Sequence, residues 1–217
     1  MADQTYNHLP RNTYDHRGCD VLEATQKSTT TYLTIVSGLP RSGTSMMMRM
    51  LEAGGMPVVV DNLRTADEDN PAGYYEFEPV KQTKQDDSWL RDAQGKAVKM
   101  VYRLLYDLPE GHQYRVIFMR RKLDEVLASQ QKMLERHGKA DPQISDEQMA
   151  RLFRGQLEKF EEWIAQQPNF QVLEVSYNDL LADPEPILRG INRFLDDALD
   201  MAQMRSVVDP SLYRNRS

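Results

Sequence analysis

Short apolar runs alternate with amphipathic stretches along most of this chain. Five runs have the length and the β-branched or aromatic content of buried strands. They cover residues 32–36, 56–60, 97–101, 114–119 and 170–175. Longer segments carry apolar residues at intervals of three and four, which predicts helices over 42–53, 123–137, 145–166, 184–195 and 197–207. This alternation predicts an α/β fold, with a central parallel sheet flanked by helices.

Two stretches lack such a pattern. Residues 1–28 are polar, and we interpret them as a flexible or strap-like N-terminal arm. Residues 61–92 are acidic and rich in turn residues, which predicts a long irregular connection of the kind that is usually functional or mobile. A chain of 217 residues has the length of one domain, so we expect residues 29–217 to form a single α/β domain.

Charge and cysteine content exclude several classes of protein. The formal net charge of −6 argues against a general nucleic-acid binder. Cys19 is the single cysteine, so neither an intrachain disulfide nor a cysteine-based zinc site is expected. The N-terminus has no apolar core of a signal peptide, and no apolar run has membrane-spanning length. We therefore expect a cytoplasmic protein without a membrane span.

The strongest chemical signal lies between the first predicted strand and the first predicted helix. Gly38 and Gly43 have the spacing of a phosphate-binding P-loop, but Thr44 stands where an ATP-binding loop has its lysine. The fixed cation is Arg41. Backbone N–H groups and a helix N-terminus suit such a loop to an anionic nucleotide, which predicts a P-loop-type three-layer sandwich. The candidate binding residues here are Gly38, Pro40, Arg41, Ser42, Gly43, Thr44 and Ser45.

A second signal follows the strand predicted at 114–119. Arg121 lies at the carboxyl end of that strand, and Ser129 lies two turns into the next helix. Ligands of α/β proteins bind at the carboxyl ends of parallel strands. The bidentate guanidinium of Arg121 and the Ser129 hydroxyl can therefore converge on one phosphate.

These two segments resemble the 5′-phosphosulfate and 3′-phosphate motifs of PAPS-dependent sulfotransferases. The PRSGT form of the loop is similar to that of tyrosylprotein sulfotransferases and of a broad bacterial group. Three further segments resemble that bacterial group: Asn70–Glu76 (NPAGYYE), Val175–Pro184 (VSYNDLLADP) and Val208–Leu212 (VDPSL), the last followed by Arg214. In order, the similar segments extend over residues 32–216.

The resemblance implies a PAPS-dependent transferase that needs no metal. It implies that Arg41 stabilises the leaving phosphate. Transfer to an acceptor also needs a general base, for which Glu76 is the first candidate and His112 and His137 are the alternatives. Lys99 would face the sulfate, although the chain lacks the Asp-Pro that often follows this lysine in the family. The resemblance further implies that Tyr177 and Arg214 contact PAPS. Arg214 would replace an adenine-binding segment that some members of the family have and this chain lacks.

Several alternatives remain open at this point. The acceptor could be a small molecule, a carbohydrate or a peptide, with a hydroxyl or amine as the reacting group. The apolar stripe along residues 149–164 could pack against the core or a second subunit, so a homodimer is possible. The rival hypotheses are a P-loop small-molecule kinase that uses ATP and a non-catalytic nucleotide-binding protein.

Overall fold

A computed structural model describes residues 31–63, 73–138 and 145–208 of the chain. Within these ranges, five strands form one all-parallel sheet. The strands are β1 (Leu33–Gly38), β2 (Val58–Val59), β3 (Ala97–Lys99), β4 (Tyr114–Arg120) and β5 (Phe170–Ser176). Their spatial order is β2-β3-β1-β4-β5, so β1 occupies the centre of the sheet.

The register fixes which residues meet at the carboxyl edge of the sheet. Val36 of β1 pairs with Lys99 of β3 on one side and with Ile117 of β4 on the other. Gly38 ends β1 opposite Met119. Because all strands are parallel, the segments that follow β1, β3, β4 and β5 leave the sheet at this same edge.

Helices cover both faces of the sheet. Seven α-helices lie in the described ranges: α1 (Thr44–Ala53), α2 (Trp89–Ala93), α3 (Leu123–Arg136), α4 (Asp146–Ile164), α5 (Tyr177–Ala182), α6 (Pro184–Phe194) and α7 (Met201–Ser206). Side chains of α1, α5, α6 and α7 share one buried cluster with strand residues such as Val36 and Ile117. Side chains of α2, α3 and α4 pack in a second cluster with Leu33, Ile35 and Val116.

This arrangement confirms the predicted α/β class with its central parallel sheet. The two clusters lie on opposite faces because successive side chains along a strand point to opposite sides. Leu33 and Ile35 therefore belong to one core, and Val36 belongs to the other. Four methionines of α1 are buried, which is consistent with a soft apolar packing face.

Several predicted boundaries were wrong by two or more residues. The first helix was predicted from residue 42 but begins at Thr44, because Gly43 has a left-handed φ of 99°. The strand predicted at 56–60 shortens to Val58–Val59, since the Met56 N–H donates to the Leu51 carbonyl at the end of α1. The strand predicted at 97–101 ends at Lys99, where the chain turns into a 3₁₀ helix, Tyr102–Asp107.

Other differences concern short helices. The connection predicted to be irregular over 61–92 contains a 3₁₀ helix, Glu78–Gln82, and α2. Helix α5 was missed altogether. The last predicted helix, 197–207, begins only at Met201, because Asp196 and Asp197 both have left-handed φ values and Asp200 caps the helix. Ser145 and Gln148 form a capping box at the start of α4.

Some predictions lie outside the described residues. These are the N-terminal arm (1–28), Cys19, residues 70–72 of the Asn70–Glu76 segment, residues 209–212 of the Val208–Leu212 segment, and Arg214. Across the three described ranges, no helix is both long and apolar enough to cross a membrane.

Candidate functional site

The loop between β1 and α1 has an unusual backbone. Gly38, Arg41 and Gly43 all have positive φ values, of 148°, 70° and 99° respectively. A Cβ atom at position 38 would meet the Met119 carbonyl oxygen at 2.7 Å, so the neighbouring strand also requires glycine there. Arg41 is the one residue of these three that is not glycine. A positive φ is uncommon for a residue with a side chain, and such strained residues cluster at functional sites. The loop directs the N-terminus of α1 towards the carboxyl edge of the sheet.

Gly43 is further constrained by Tyr177. A Cβ atom at position 43 would come within 2.4 Å of the Tyr177 ring, which is buried at the start of α5. The aromatic ring therefore lies directly against the loop. This contact links the P-loop-like segment to the segment after β5, 134 residues further along the chain.

Arg41 and Arg121 bring the two predicted phosphate motifs together. The Arg41 Nε–H donates to Ser129 Oγ over 2.9 Å. An η nitrogen of Arg121 donates to the Arg41 carbonyl oxygen at 3.1 Å, and its guanidinium lies over the Tyr177 ring, 4.6 Å from the centroid. Arg41, Arg121, Ser129 and Tyr177, all predicted from the sequence, thus form one cluster.

Two further members of this cluster were not predicted from the sequence. Glu125 is 1% exposed, and its Oε2 accepts a hydrogen bond from Arg121 Nε at 2.9 Å. Asn178 Nδ2 donates to the other oxygen of Glu125, also at 2.9 Å. A partial signal was available, because Glu125 and Ser129 are four residues apart on one face of α3, and Arg121 precedes Glu125 by the same interval.

Lys99 lies on the other side of the loop. Its Nζ donates to Ser45 Oγ at 3.4 Å and also to the Tyr74 carbonyl oxygen. Ser45 Oγ itself donates to the Tyr74 carbonyl at 3.2 Å. The lysine is half-buried at the end of β3, so an ammonium group is held beside the first turn of α1.

The segment that contains Glu76 crosses this side of the site. Its backbone is held by Asp61: the Asp61 N–H donates to the Glu76 carbonyl at 3.0 Å, and the Glu78 N–H donates to the Asp61 carboxylate at 2.6 Å. Hydrogen bonds to its carboxylate from the backbone N–H groups of Leu63 and Glu78 lower the pKa of Asp61. Glu76 is half-buried, two residues beyond the Tyr74 carbonyl that Lys99 contacts.

Tyr75, between these two, also bonds to α1. It has a left-handed φ of 53°, and its hydroxyl donates to Glu52 at 2.5 Å. Burial and the Glu52 hydrogen bond raise the pKa of the Tyr75 phenol. The segment therefore contacts α1 through a side chain and, at Tyr74, through its backbone.

The remaining loop residues have distinct positions. Pro40 is exposed, whereas Ser42 is 1% exposed and turns its hydroxyl into the loop, beside Gly38. The Ser42 N–H donates to the Leu39 carbonyl at 3.2 Å, so it is engaged within the turn. Thr44 opens α1 and is partly exposed. The first N–H groups of a helix have no acceptor within that helix and can bind an anion.

His112 and His137, the alternative candidates for the general base, lie away from this cluster. His112 precedes β4, and since a strand rises about 3.3 Å per residue, it is on the order of 20 Å from the carboxyl edge. His137 follows the last residue of α3, eight positions beyond Ser129, which corresponds to about 12 Å along the helix. Both histidines therefore lie farther from the contact between Arg41 and Ser129 than Glu125 and Tyr177 do.

Comparison with known protein families finds a similarity in the region from His112 to Asp200. Residues 112–200 match the profile of the sulfotransferase family. This match supports a sulfotransferase family assignment for the chain. It confirms the resemblance inferred from the motifs, and the matched region contains Arg121, Glu125, Ser129 and Tyr177. No curated protein sequence matches the chain.

The loop residues 38–45 and Lys99 precede the part of the chain that matches the sulfotransferase family. Their association with that part is structural: Arg41 contacts Ser129, and Gly43 lies against Tyr177. Among the residues that the structure describes, no group of three or more His, Cys, Asp or Glu side chains is placed to hold a metal ion.

Proposed function

We propose that this protein transfers a sulfuryl group from PAPS to an acceptor hydroxyl or amine and releases adenosine 3′,5′-bisphosphate. The observation that carries the proposal is the contact between the two phosphate motifs. Arg41 of the loop donates to Ser129, and Arg121 donates back to the Arg41 carbonyl. A ligand with two separate phosphate groups is suited to two adjoining cationic sites on one sheet edge.

The loop side of the site suits the 5′-phosphosulfate. The acceptor oxygen or nitrogen attacks sulfur, and the bond between sulfur and the bridging phosphate oxygen breaks. Negative charge develops on that oxygen as it leaves. Arg41, Lys99 and the first N–H groups of α1 are the donors we assign to this charge, with the hydroxyls of Thr44 and Ser45 on the 5′-phosphate.

The Arg121 side of the site suits the 3′-phosphate. Its guanidinium can bind an anion bidentately, and Ser129 provides a hydroxyl two turns along α3. We assign to these two residues the preference for PAPS over a nucleotide that lacks the 3′-phosphate. Tyr177 supports the Arg121 guanidinium through its ring.

Glu76 is the base we propose for the acceptor proton. Glu76 lies two residues beyond Tyr74, whose carbonyl accepts hydrogen bonds from Lys99 and Ser45. This supports a carboxylate on the side of the site to which we assign the sulfate. The acceptor proton would pass to this carboxylate as the new bond to sulfur forms. The acceptor class remains that of alcohols, phenols or amines on small molecules, carbohydrates or peptides.

The residues at the strand ends support sulfuryl transfer over an ATP-dependent kinase. Thr44 replaces the lysine that binds the β- and γ-phosphates in an ATP-binding loop. The acidic residue that follows β2 is Asp61, and its carboxylate accepts hydrogen bonds from the backbone N–H groups of Leu63 and Glu78.

We also propose that the protein acts in the cytoplasm, as a single domain over residues 29–217.

Calorimetry tests the donor without knowledge of the acceptor. Adenosine 3′,5′-bisphosphate, ATP and ADP are titrated into the protein, and the bisphosphate is expected to bind most tightly. A preference for ATP, with ATP-dependent phosphorylation, would establish the kinase instead. Tight bisphosphate binding without turnover of PAPS on a panel of alcohols, phenols and amines would support a non-catalytic nucleotide-binding protein.

A further inference from the structure

Glu125 presents an unusual combination of charge and position. It is 1% exposed, and a carboxylate is rarely buried unless it is paired. It also lies within the cluster to which we assign a phosphate, where a negative charge would repel the ligand. Its presence there requires a reason beyond the general stability of α3.

The reason lies in its two oxygens. Oε2 accepts from Arg121 Nε, and Oε1 accepts from Asn178 Nδ2, each at 2.9 Å. The Asn178 Oδ1 in turn accepts from the Lys122 N–H at 3.2 Å. The carboxylate is therefore joined at one end to the arginine and at the other end to α5.

Arg121 is thereby held on three sides. Glu125 bonds its Nε, the Arg41 carbonyl accepts from an η nitrogen, and Tyr177 lies under its plane. A guanidinium that is already oriented loses less conformational freedom when it binds a ligand. Its side chain is 8% exposed, which is consistent with a fixed rather than a mobile arginine.

From these contacts we infer that Glu125, oriented by Asn178, is a positioning residue that sets the affinity for the donor's 3′-phosphate through Arg121. This inference rests on the proposed function, since it assigns a role within the same donor site. It predicts that the selectivity for the 3′-phosphate depends on two residues that need not touch the ligand.

The exchange Glu125→Gln tests this role with little change of shape. A glutamine has one oxygen and one NH₂ group, so it cannot accept from both Arg121 Nε and Asn178 Nδ2. The readout is the ratio of the dissociation constants of adenosine 5′-monophosphate and adenosine 3′,5′-bisphosphate, measured by calorimetry. We expect this ratio to fall about tenfold, as when an outer partner of a binding residue is removed. General loosening of the fold would weaken both ligands and leave the ratio unchanged.

The double variant Glu125→Gln with Asn178→Asp provides the rescue. An aspartate introduced in place of Asn178 can accept from the NH₂ of the introduced glutamine and from the Lys122 N–H, which leaves the glutamine oxygen for Arg121. The ratio is expected to return to within about threefold of the wild-type ratio, which corresponds to a free-energy difference of about 0.65 kcal/mol. A double variant no better than the single one would overturn the role of Asn178. Glu135→Gln, at an exposed position of the same helix, is the matched control.

The outcomes separate this inference from the proposed function. If the wild-type protein binds the bisphosphate no more tightly than the monophosphate, the proposed donor is wrong and the inference fails with it. If the wild-type protein discriminates and Glu125→Gln discriminates equally well, the inference alone is wrong. Should Glu125→Gln fail to fold, Asn178→Ala is measured in its place, and an unchanged ratio would likewise overturn the role we infer.

Discussion

Arg41 Nε donates to Ser129 Oγ at 2.9 Å, although the two residues are 88 positions apart in the chain. One belongs to the loop after the central strand, and the other belongs to the helix after its neighbour. The hydrogen bond therefore makes the two motifs parts of one site. It also means that a change at Arg41 affects both sides of the proposed donor.

Arg41→Ala is expected to abolish most of the transfer activity. Arg41 is the donor that we place nearest the leaving phosphate, and loss of one such donor typically lowers kcat by about 10²–10³-fold. Steady-state kinetics with PAPS gives the value. Arg91→Ala removes an arginine that is 84% exposed on α2 and is the control. Wild-type turnover in Arg41→Ala would remove this residue from the mechanism.

Arg121→Ala is expected to act on donor binding instead. A hydrogen bond to a charged group contributes about 1.5–3 kcal/mol, so the KM for PAPS should rise by about 10- to 150-fold while kcat changes less. The measurement is the dependence of the initial rate on PAPS concentration. The assignment is contradicted if the variant still prefers PAPS to its 3′-dephospho analogue as strongly as the wild-type protein does.

The sequence predicted the sheet because its strands are continuous apolar runs. It also predicted the loop and Arg121, since glycine spacing and strand-end arginines are local features. It did not predict Glu125 as part of the site, because a buried ion pair depends on packing between α3 and α5. Helix α5 was missed because six residues are too few to show a helical period.

Boundaries were wrong where hydrogen bonds to an adjoining helix or turn overrode the apolar pattern. The apolar residues Met56 and Val101 extend their runs, yet the Met56 N–H donates to Leu51 and the Val101 carbonyl accepts from Leu104. Neither partner can be identified from the apolar pattern. The apolar pattern likewise does not show how far His112 and His137 lie from the loop, because that depends on the directions of the strand and the helix.

Glu76→Gln is expected to lower kcat by about 10²–10⁴-fold, the usual contribution of a general base, with donor affinity nearly unchanged. Calorimetry with the bisphosphate and steady-state rates separate the two effects. The matched control is Glu78→Gln, since Glu78 is exposed and pairs with Lys81 at the surface. Equal turnover in Glu76→Gln and wild type would place the base elsewhere.

Asp61→Asn is expected to change the pH dependence of stability. Backbone N–H groups of Leu63 and Glu78 lower the folded-state pKa of Asp61 below its ordinary value of 3.8. A lowered folded-state pKa stabilises the fold above pH 3.8, and this contribution is lost as the pH falls through the folded-state pKa. The wild-type protein should therefore exceed the variant in free energy of unfolding near pH 6, and the difference should shrink below pH 3.8.

Urea unfolding across pH 3–7 measures this difference for Asp61→Asn. Asp92→Asn, at an exposed position of α2, is the control and is expected to change the free energy of unfolding by less than about 0.5 kcal/mol. A difference between wild type and Asp61→Asn that stays constant down to the lowest pH would show that the carboxylate charge contributes nothing to holding this connection.

Gly43→Ala and Gly55→Ala together separate backbone strain from side-chain collision. The two glycines have nearly equal φ values, of 99° and 96°, so alanine imposes a similar conformational cost at each, of about 1–2 kcal/mol. A Cβ atom at position 55 meets no atom within 4 Å, whereas one at position 43 lies 2.4 Å from the Tyr177 ring. Gly43→Ala should therefore lower the free energy of unfolding by about 1–3 kcal/mol more than Gly55→Ala does, as expected for overpacking. It should also weaken bisphosphate binding, because a displaced Tyr177 no longer supports Arg121. Equal destabilisation by the two variants, measured by urea unfolding, would show that the ring does not lie against the loop in solution.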